Sequence, residues 1–272
     1  MLGVQQTEMG KVYFVGAGPG DPELITVRGQ RLLMEAGLVL YAGSLVNPAL
    51  LGCVREGVPY HDTAPLTLEE TMALVRQGVA AGQTVVRLHT GDPALYGAIQ
   101  EQIDCLEQEG IPWEIVPGVS SFLAAAALLG RELTVPGGSQ TVILTRQGGR
   151  TPVPEAESLR ELGSHRSTTC LFLSASLLPQ AVADLLLHFP PETPAVIVER
   201  ASWPDQRVIR ATLAELPERA REAGITRTAL VFVGTFLAAS GQRSLLYDPF
   251  FSHGYRNGEA PAGGPDKDQG RP

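Results

Sequence analysis

The chain has 272 residues, 44% of them hydrophobic, and 21 Lys and Arg against 29 Asp and Glu give it a formal net charge of −8. That acidic balance excludes a broad nucleic-acid surface, which needs an excess of cations to neutralise phosphates. The three cysteines, Cys53, Cys105 and Cys170, are odd in number and far apart with no CxxC spacing, which argues against a disulfide framework or a zinc site and fits a reducing cytoplasm. The longest apolar run, Phe122 to Leu129, is far short of the roughly 20 residues needed to span a bilayer. Residues 1–10 carry neither the basic start nor the apolar core of a signal peptide. The length suits two domains of ordinary size.

In chain order, the first informative stretch is Lys11 to Thr26, an apolar strand-like run that breaks into a turn with Gly16, Gly18 and Gly20. Such a turn at a strand end binds small ligands, and a dinucleotide is the first candidate. Three details oppose it. Pro19 removes a backbone donor, Asp21 sets a negative charge where phosphates would sit, and the second strand (Leu38 to Tyr41) ends in Ala42 and Gly43 rather than a ribose-binding acid. A cofactor without a pyrophosphate fits better. The competing explanation makes Asp21 an N-cap and Pro22 a first helical residue, which accounts for those two residues and leaves Gly16 and Gly18 unexplained.

The spacing then predicts a helix over 25–36 that stops at Gly37, and a second from Thr67, with Glu70 completing a capping box and Gly82 ending it. Between them, from Gly43 to Pro65, the pattern is irregular. Val85 to Leu88 reads as a third strand, followed by His89-Thr90-Gly91-Asp92-Pro93-Ala94-Leu95-Tyr96, whose Gly-Asp-Pro echoes Gly20-Asp21-Pro22. A helix through Ile99, Ile103 and Leu106 leads to a fourth strand, Trp113 to Val116. The turn Pro117 to Ser121 follows it, with Ser120 as a candidate cap for the apolar helix 122–129. Alternating strands and helices predict a parallel sheet with its turns gathered at the carboxyl edge of the strands.

Small and turn-forming residues from Gly130 to Ser139 mark a boundary, which gives an N-terminal extension (1–10), an α/β domain (11–135), a second α/β domain (136–250) and a tail (251–272) rich in Gly, Pro and charge and expected to be disordered. The second domain reads as strands at 141–144, 169–173, 195–199, 208–212 and 229–233, with helices at 155–162, 178–187 and 213–223. The short connection Arg200 to Gln206 predicts an antiparallel hairpin, and therefore a mixed sheet.

The segments GAGPGDPELIT, HTGDPALYG, VPGVSS and ERASWPD occur in this order in one known family, and over about residues 10–247 the chain resembles the tetrapyrrole methylases. Three further stretches, Tyr41 to Val46, Arg150 to Glu155 and Ala201 to Asp205, resemble the branch that methylates precorrin-4 or cobalt-precorrin-4 at ring carbon 11. Ala42 departs from the Asp usual in uroporphyrinogen-III methyltransferases and so disfavours that branch, which stays an alternative along with the carbon-17 and carbon-20 enzymes. The resemblance implies S-adenosylmethionine as cofactor with S-adenosylhomocysteine as product, a cleft between two α/β domains as its site, a precorrin as substrate and a cytoplasmic homodimer. Carried onto this sequence, the cofactor positions are Pro19, Thr90, Gly91, Asp92, Leu95, Ser120, Ser121, Ser174 and Ala201.

A sulphonium cofactor needs no phosphate-directed amides, which removes the objections raised by Pro19 and Asp21. Methyl transfer to an electron-rich ring carbon asks mainly for positioning and a dry site, and no Ser-His-Asp arrangement or metal cluster suggests a dedicated base. For Asp92, an N-cap role and a role at the methionine or ribose end of the cofactor both stand. Arg28, Arg146 and Arg150 are the candidates for the substrate's acetate and propionate groups, which a planar guanidinium can bind bidentately; for any one of them, a solvated surface role is the alternative. His61 and His89 are expected to be ordinary hydrogen-bonded histidines, and Trp203 either packs or walls the cleft. The readings from other classes are a nicotinamide or flavin oxidoreductase and a silent tetrapyrrole carrier.

Overall fold

The computed structural model describes residues 10–43, 45–238 and 243–258. The opening apolar run forms strand β1 (Lys11–Gly16). The helix after it begins later than its apolar spacing suggests, because two polar side chains compete to start it. Asp21 accepts the Glu23 amide at 2.9 Å and caps only a 3-10 turn, Pro22–Leu24; helix α1 (Val27–Glu35) starts after Thr26, which accepts the Gly29 amide at 3.1 Å. Strand β2 (Leu38–Tyr41) follows. The irregular stretch beyond it holds a 3-10 turn, Pro48–Cys53, and a short edge strand β3 (Tyr60–Asp62) whose three side chains are all exposed, so no apolar alternation marks it.

Helix α2 (Leu68–Ala80) opens with the predicted capping box: Thr67 accepts the Glu70 amide at 3.2 Å and Glu70 accepts the Thr67 amide at 2.8 Å. Strand β4 (Thr84–His89), helix α3 (Gln100–Gln108), strand β5 (Trp113–Val116) and helix α4 (Ser121–Leu129) complete the first half. The five strands are all parallel in the order β3-β2-β4-β1-β5. Period-two alternation sends Val12 and Phe14 of β1 toward α2 and α3, and Val15 toward Leu32 and Leu33 of α1, so helices cover both faces.

The second half builds strand β6 (Val142–Arg146), helix α5 (Leu159–Leu162), strand β7 (Thr168–Phe172), helix α6 (Leu178–Leu185), strands β8 (Pro194–Glu199) and β9 (Arg207–Thr212), helix α7 (Leu216–Glu222) and strand β10 (Ala229–Val233). The helix predicted over 155–162 is split, because Ser158 is extended and its side chain accepts the Glu161 amide; a 3-10 turn precedes it and only four α-helical residues follow. The sheet is mixed in the order β6-β7-β10-β8-β9, with β6 and β7 parallel and the other pairs antiparallel, including the expected β8–β9 hairpin. The chain crosses between the sheets through α4, whose Ala125, Ala126 and Leu129 pack against Cys170, Val196 and Phe232 of the second sheet. Among the described residues no helix is long and apolar enough to cross a membrane. Most of the N-terminal extension (1–9) and the tail from 259 onward lie outside the described residues; 243–258 carries a 3-10 turn, Leu245–Tyr247.

Candidate functional site between the two sheets

The strand order sets the carboxyl ends of β4, β1 and β5 side by side, and three turns interlock there. The Gly18 amide donates to the Gly91 carbonyl at 3.3 Å and the Gly91 amide to the Gly18 carbonyl at 2.8 Å. A Cβ at Gly16 would strike the backbone of Gly118 and Gly91, so glycine there is what lets the turn after β1 lie against the turns after β4 and β5. Asp92 ties two of them together: one carboxylate oxygen accepts the Ala94 amide at 2.8 Å and the other the Gly118 amide at 2.9 Å. It therefore caps a turn rather than a helix, while its side chain still borders open space.

That space is a cavity of about 290 Å³ between the two sheets. The first half lines it with Pro19, Leu45, the turn residues Thr90, Gly91, Asp92, Leu95 and Tyr96, and the start of α4 at Ser120 and Ser121. Opposite them stand Phe172 and Leu173 at the end of β7, Ala175 and Ser176 just beyond, Arg200 and Trp203 after β8, and Thr226 to Leu230 leading into β10. The ring of Tyr96 meets that of Phe172 across the gap with centroids 5.2 Å apart. Burial pushes the Tyr96 hydroxyl pKa up, against the opposing pull of Arg146. Ser120 occupies the N-cap position of α4 but its side chain makes no capping hydrogen bond; its carbonyl instead takes the Leu123 amide at 3.0 Å.

Of the nine positions carried over by resemblance, the structure brings Pro19, Thr90, Gly91, Asp92, Leu95, Ser120 and Ser121 together on this cavity. Ser174 and Ala201 stand behind its wall. Ser174 is fully buried, donating to the Phe172 carbonyl at 2.6 Å and accepting the Gln147 amide at 2.8 Å, and Ala201 packs in the apolar core with Val198 and Phe232. None of the three candidate arginines lines the cavity. Arg28 pairs with Glu114, which also takes Lys11 at 2.9 Å; Arg146 donates to the carbonyls of Thr151 and Pro152 at 3.0 and 2.8 Å; Arg150 is exposed on that same turn. The cationic side chains that do line it are Arg200 and Arg227. The ERASWPD segment contained a signal for Arg200, while nothing local marked Arg227.

His89 departs from expectation. It is 5% exposed, lies 5.9 Å from the Phe14 ring, and its Nε2 is buried without a hydrogen-bond partner. Burial, aided by the Arg87 charge, pushes its pKa down to about 3, so it is neutral near pH 7. Arg87 is buried too, donating to Gln102 at 3.0 Å, and stays protonated although burial lowers its pKa to about 10. His61 is exposed on β3. Among the described residues no group of three or more His, Cys, Asp or Glu side chains is placed to hold a metal ion.

With this geometry in view, comparison with known proteins is decisive for the family. The sequence model of the tetrapyrrole (corrin/porphyrin) methylases matches residues 11–217, which runs from β1 into α7 and takes in most of both sheets. The chain belongs to that family. This methylase is 50% identical to the precorrin-4 C(11)-methyltransferase of Pseudomonas aeruginosa over 91% of its own length and 99% of the relative's. It is 48% identical to the cobalt-precorrin-4 C(11)-methyltransferase of Methanocaldococcus jannaschii, over 90% and 96% of the two chains. The X-ray structure of a cobalt precorrin-4 methyltransferase superposes on the methylase with a TM-score of 0.83 at 45% identity, covering 87% of this chain and 99% of that one. The uroporphyrin-III C-methyltransferase of Thermus thermophilus, solved with S-adenosylhomocysteine, superposes with a TM-score of 0.71 at 33% identity, covering 84% and 99%.

Proposed function

We propose that this methylase transfers a methyl group from S-adenosylmethionine to carbon 11 of precorrin-4 or cobalt-precorrin-4 in cobalamin biosynthesis, releasing S-adenosylhomocysteine. The observation that carries the reading is the cavity between the sheets, walled on one side by the interlocked turns and on the other by the ends of β7 and β8. Its residues suit a small cationic cofactor. The rings of Tyr96 and Phe172 offer π faces, and the Asp92 carboxylate supplies the one negative charge among the lining residues. The start of α4 and the Ser120 and Ser121 hydroxyls suit an amino-acid carboxylate. Pro19 closes a wall that aims no row of amides at a phosphate. When bound, S-adenosylmethionine supplies an electrophilic methyl on a sulphonium.

The chain's own part is orientation and exclusion of water, which the apolar walls at Leu45, Leu95, Phe172 and Leu173 provide. No side chain is assigned as a base, and His89, neutral and outside the lining, is not one. Ser174 and Ala201 act from behind the wall, Ser174 by joining the Phe172 carbonyl to the Gln147 amide and Ala201 by anchoring the hairpin loop in the apolar core. For the ring's carboxylates we assign Arg200 and Arg227 because they line the cavity, and retain Arg150 at the exposed turn, with Arg28 and Arg146 secondary because they lie off the cavity and are held by Glu114 and by the Thr151 and Pro152 carbonyls. The proposal extends to a homodimer in the cytoplasm; the exposed Leu245, Leu246, Tyr247, Phe250 and Tyr255 supply apolar surface for a partner.

Calorimetry with S-adenosylhomocysteine and with NAD tests the cofactor assignment. Binding of the first and no heat from the second is the expected outcome, and NAD binding alone would overturn it. In the same assay Arg150→Ala is expected to leave S-adenosylhomocysteine affinity unchanged while weakening tetrapyrrole binding.

A further inference from the structure

We infer that Trp203 is a positioning residue for methyl transfer: its indole, seated on Gly20, locks the Pro19–Asp21 turn, whose Pro19 lines the cavity, to the hairpin loop of the second sheet. The contact joins residues 184 apart, with the indole N–H donating to the Pro19 carbonyl at 3.1 Å. Two residues further on, the Asp21 amide donates to the Ser202 hydroxyl at 3.0 Å, and Asn47 holds the Gly20 carbonyl between them at 2.8 Å. Thus three successive residues of the opening turn are each fixed by a side chain from elsewhere, two of them from the hairpin loop.

The fit at Gly20 is steric as well as polar. A Cβ built there would collide with both Cδ1 and Nε1 of the Trp203 five-membered ring. A face of the indole is also engaged: the Arg200 guanidinium lies 4.1 Å from its centre and is held there by Asp205 at 2.8 Å. Arg200 and Ser202 both adopt positive φ, 50° and 69°, a conformation that non-glycine residues take at a cost. The strained loop is what turns Trp203 toward the first half and Arg200 into the cavity wall. Pro19, Arg200 and Trp203 all line the cavity, so its shape depends on this clasp.

The affinity readout rests on the proposed cofactor, whereas the steric readout does not. The experiment is a cycle of Gly20→Ala, Trp203→Leu and the double variant, with Ser202→Ala alongside, followed by calorimetry with S-adenosylhomocysteine and by urea unfolding. Each of the two single variants is expected to weaken S-adenosylhomocysteine binding roughly tenfold or more and Ser202→Ala about threefold. The double variant is expected to bind within about twofold of Trp203→Leu, because the larger side chain at 20 no longer meets an indole. Alanine at position 20 also strains its own backbone, but that cost enters both legs of the cycle and cancels. In turnover, Trp203→Leu is expected to raise the KM for S-adenosylmethionine and leave that for the tetrapyrrole within about twofold, a split that general destabilisation would not produce. Additive losses in both readouts, or unchanged affinity in Trp203→Leu and Ser202→Ala, would overturn the inference. If the wild-type protein bound no S-adenosylhomocysteine, the cofactor assignment would fail and the urea cycle alone would decide: non-additivity upholds the clasp and additivity removes it.

Discussion

His89 stands one residue before the cavity wall and yet serves the fold, and its burial has a measurable consequence. Its native pKa is held near 3 while an unperturbed histidine titrates near 6.5. Between those values the unfolded chain binds a proton that the native chain does not, so stability falls as pH drops from 6.5 toward 3 and is unaffected by this group above 6.5. His89→Phe is expected to flatten urea midpoints measured between pH 6.5 and 4, removing an acid penalty of about 2–4 kcal/mol. Parallel pH profiles for the two proteins would refute the assignment. The same residue shows where sequence reading stops. A histidine at a strand end is visible in the sequence, but the depth of its burial against Phe14 depends on how the helices α2 and α3 cover the sheet. Asp92 was equally ambiguous in sequence. In the structure its two oxygens bridge the turns after β4 and β5, and the second contact spans 26 residues that no local pattern links.

At the scale of the elements, what was legible followed from local chemistry. The capping box at Thr67 and Glu70, the apolar runs of β1, β2, β4 and β10, and the short β8–β9 connection each carry their own signal, and each forms as read. The misses have physical causes of the same kind. Strand β3 has no buried side chain to create alternation, Ser158 interrupts a helix that its neighbours would extend, and Thr26 rather than Asp21 starts α1. Helix α2 packs on the sheet face and contributes no residue to the cavity. Thr67→Ala should therefore lower the unfolding free energy by about 1 kcal/mol with S-adenosylhomocysteine affinity unchanged, as checked by urea titration and calorimetry. A loss of affinity larger than the loss of stability would show that α2 communicates with the site.

At the scale of the whole molecule, the parallel sheet gathers its turns on one edge and the mixed sheet faces them with the ends of β7 and β8. The first of these walls was readable, because alternating strands and helices dictate where parallel turns collect. The second was readable only in part: the ERASWPD segment marked the loop of Arg200 and Trp203, while Phe172, Arg227 and Thr228 reach the cavity through tertiary structure, and the arginines that line it are Arg200 and Arg227 rather than Arg28, Arg146 or Arg150. The glycines of the opening turn take their meaning at this scale too. Gly16 admits the neighbouring turns and Gly20 admits Trp203, so a turn that resembles a phosphate loop is shaped by backbone and indole packing, which suits the proposed cofactor because it has no phosphate. Family membership and the cavity together support one reaction. Incubating the protein with methyl-labelled S-adenosylmethionine and either precorrin-4 or cobalt-precorrin-4, then locating the label on the ring, tests it most directly. The account predicts label at carbon 11; label at another ring carbon, or none on either substrate, would contradict it.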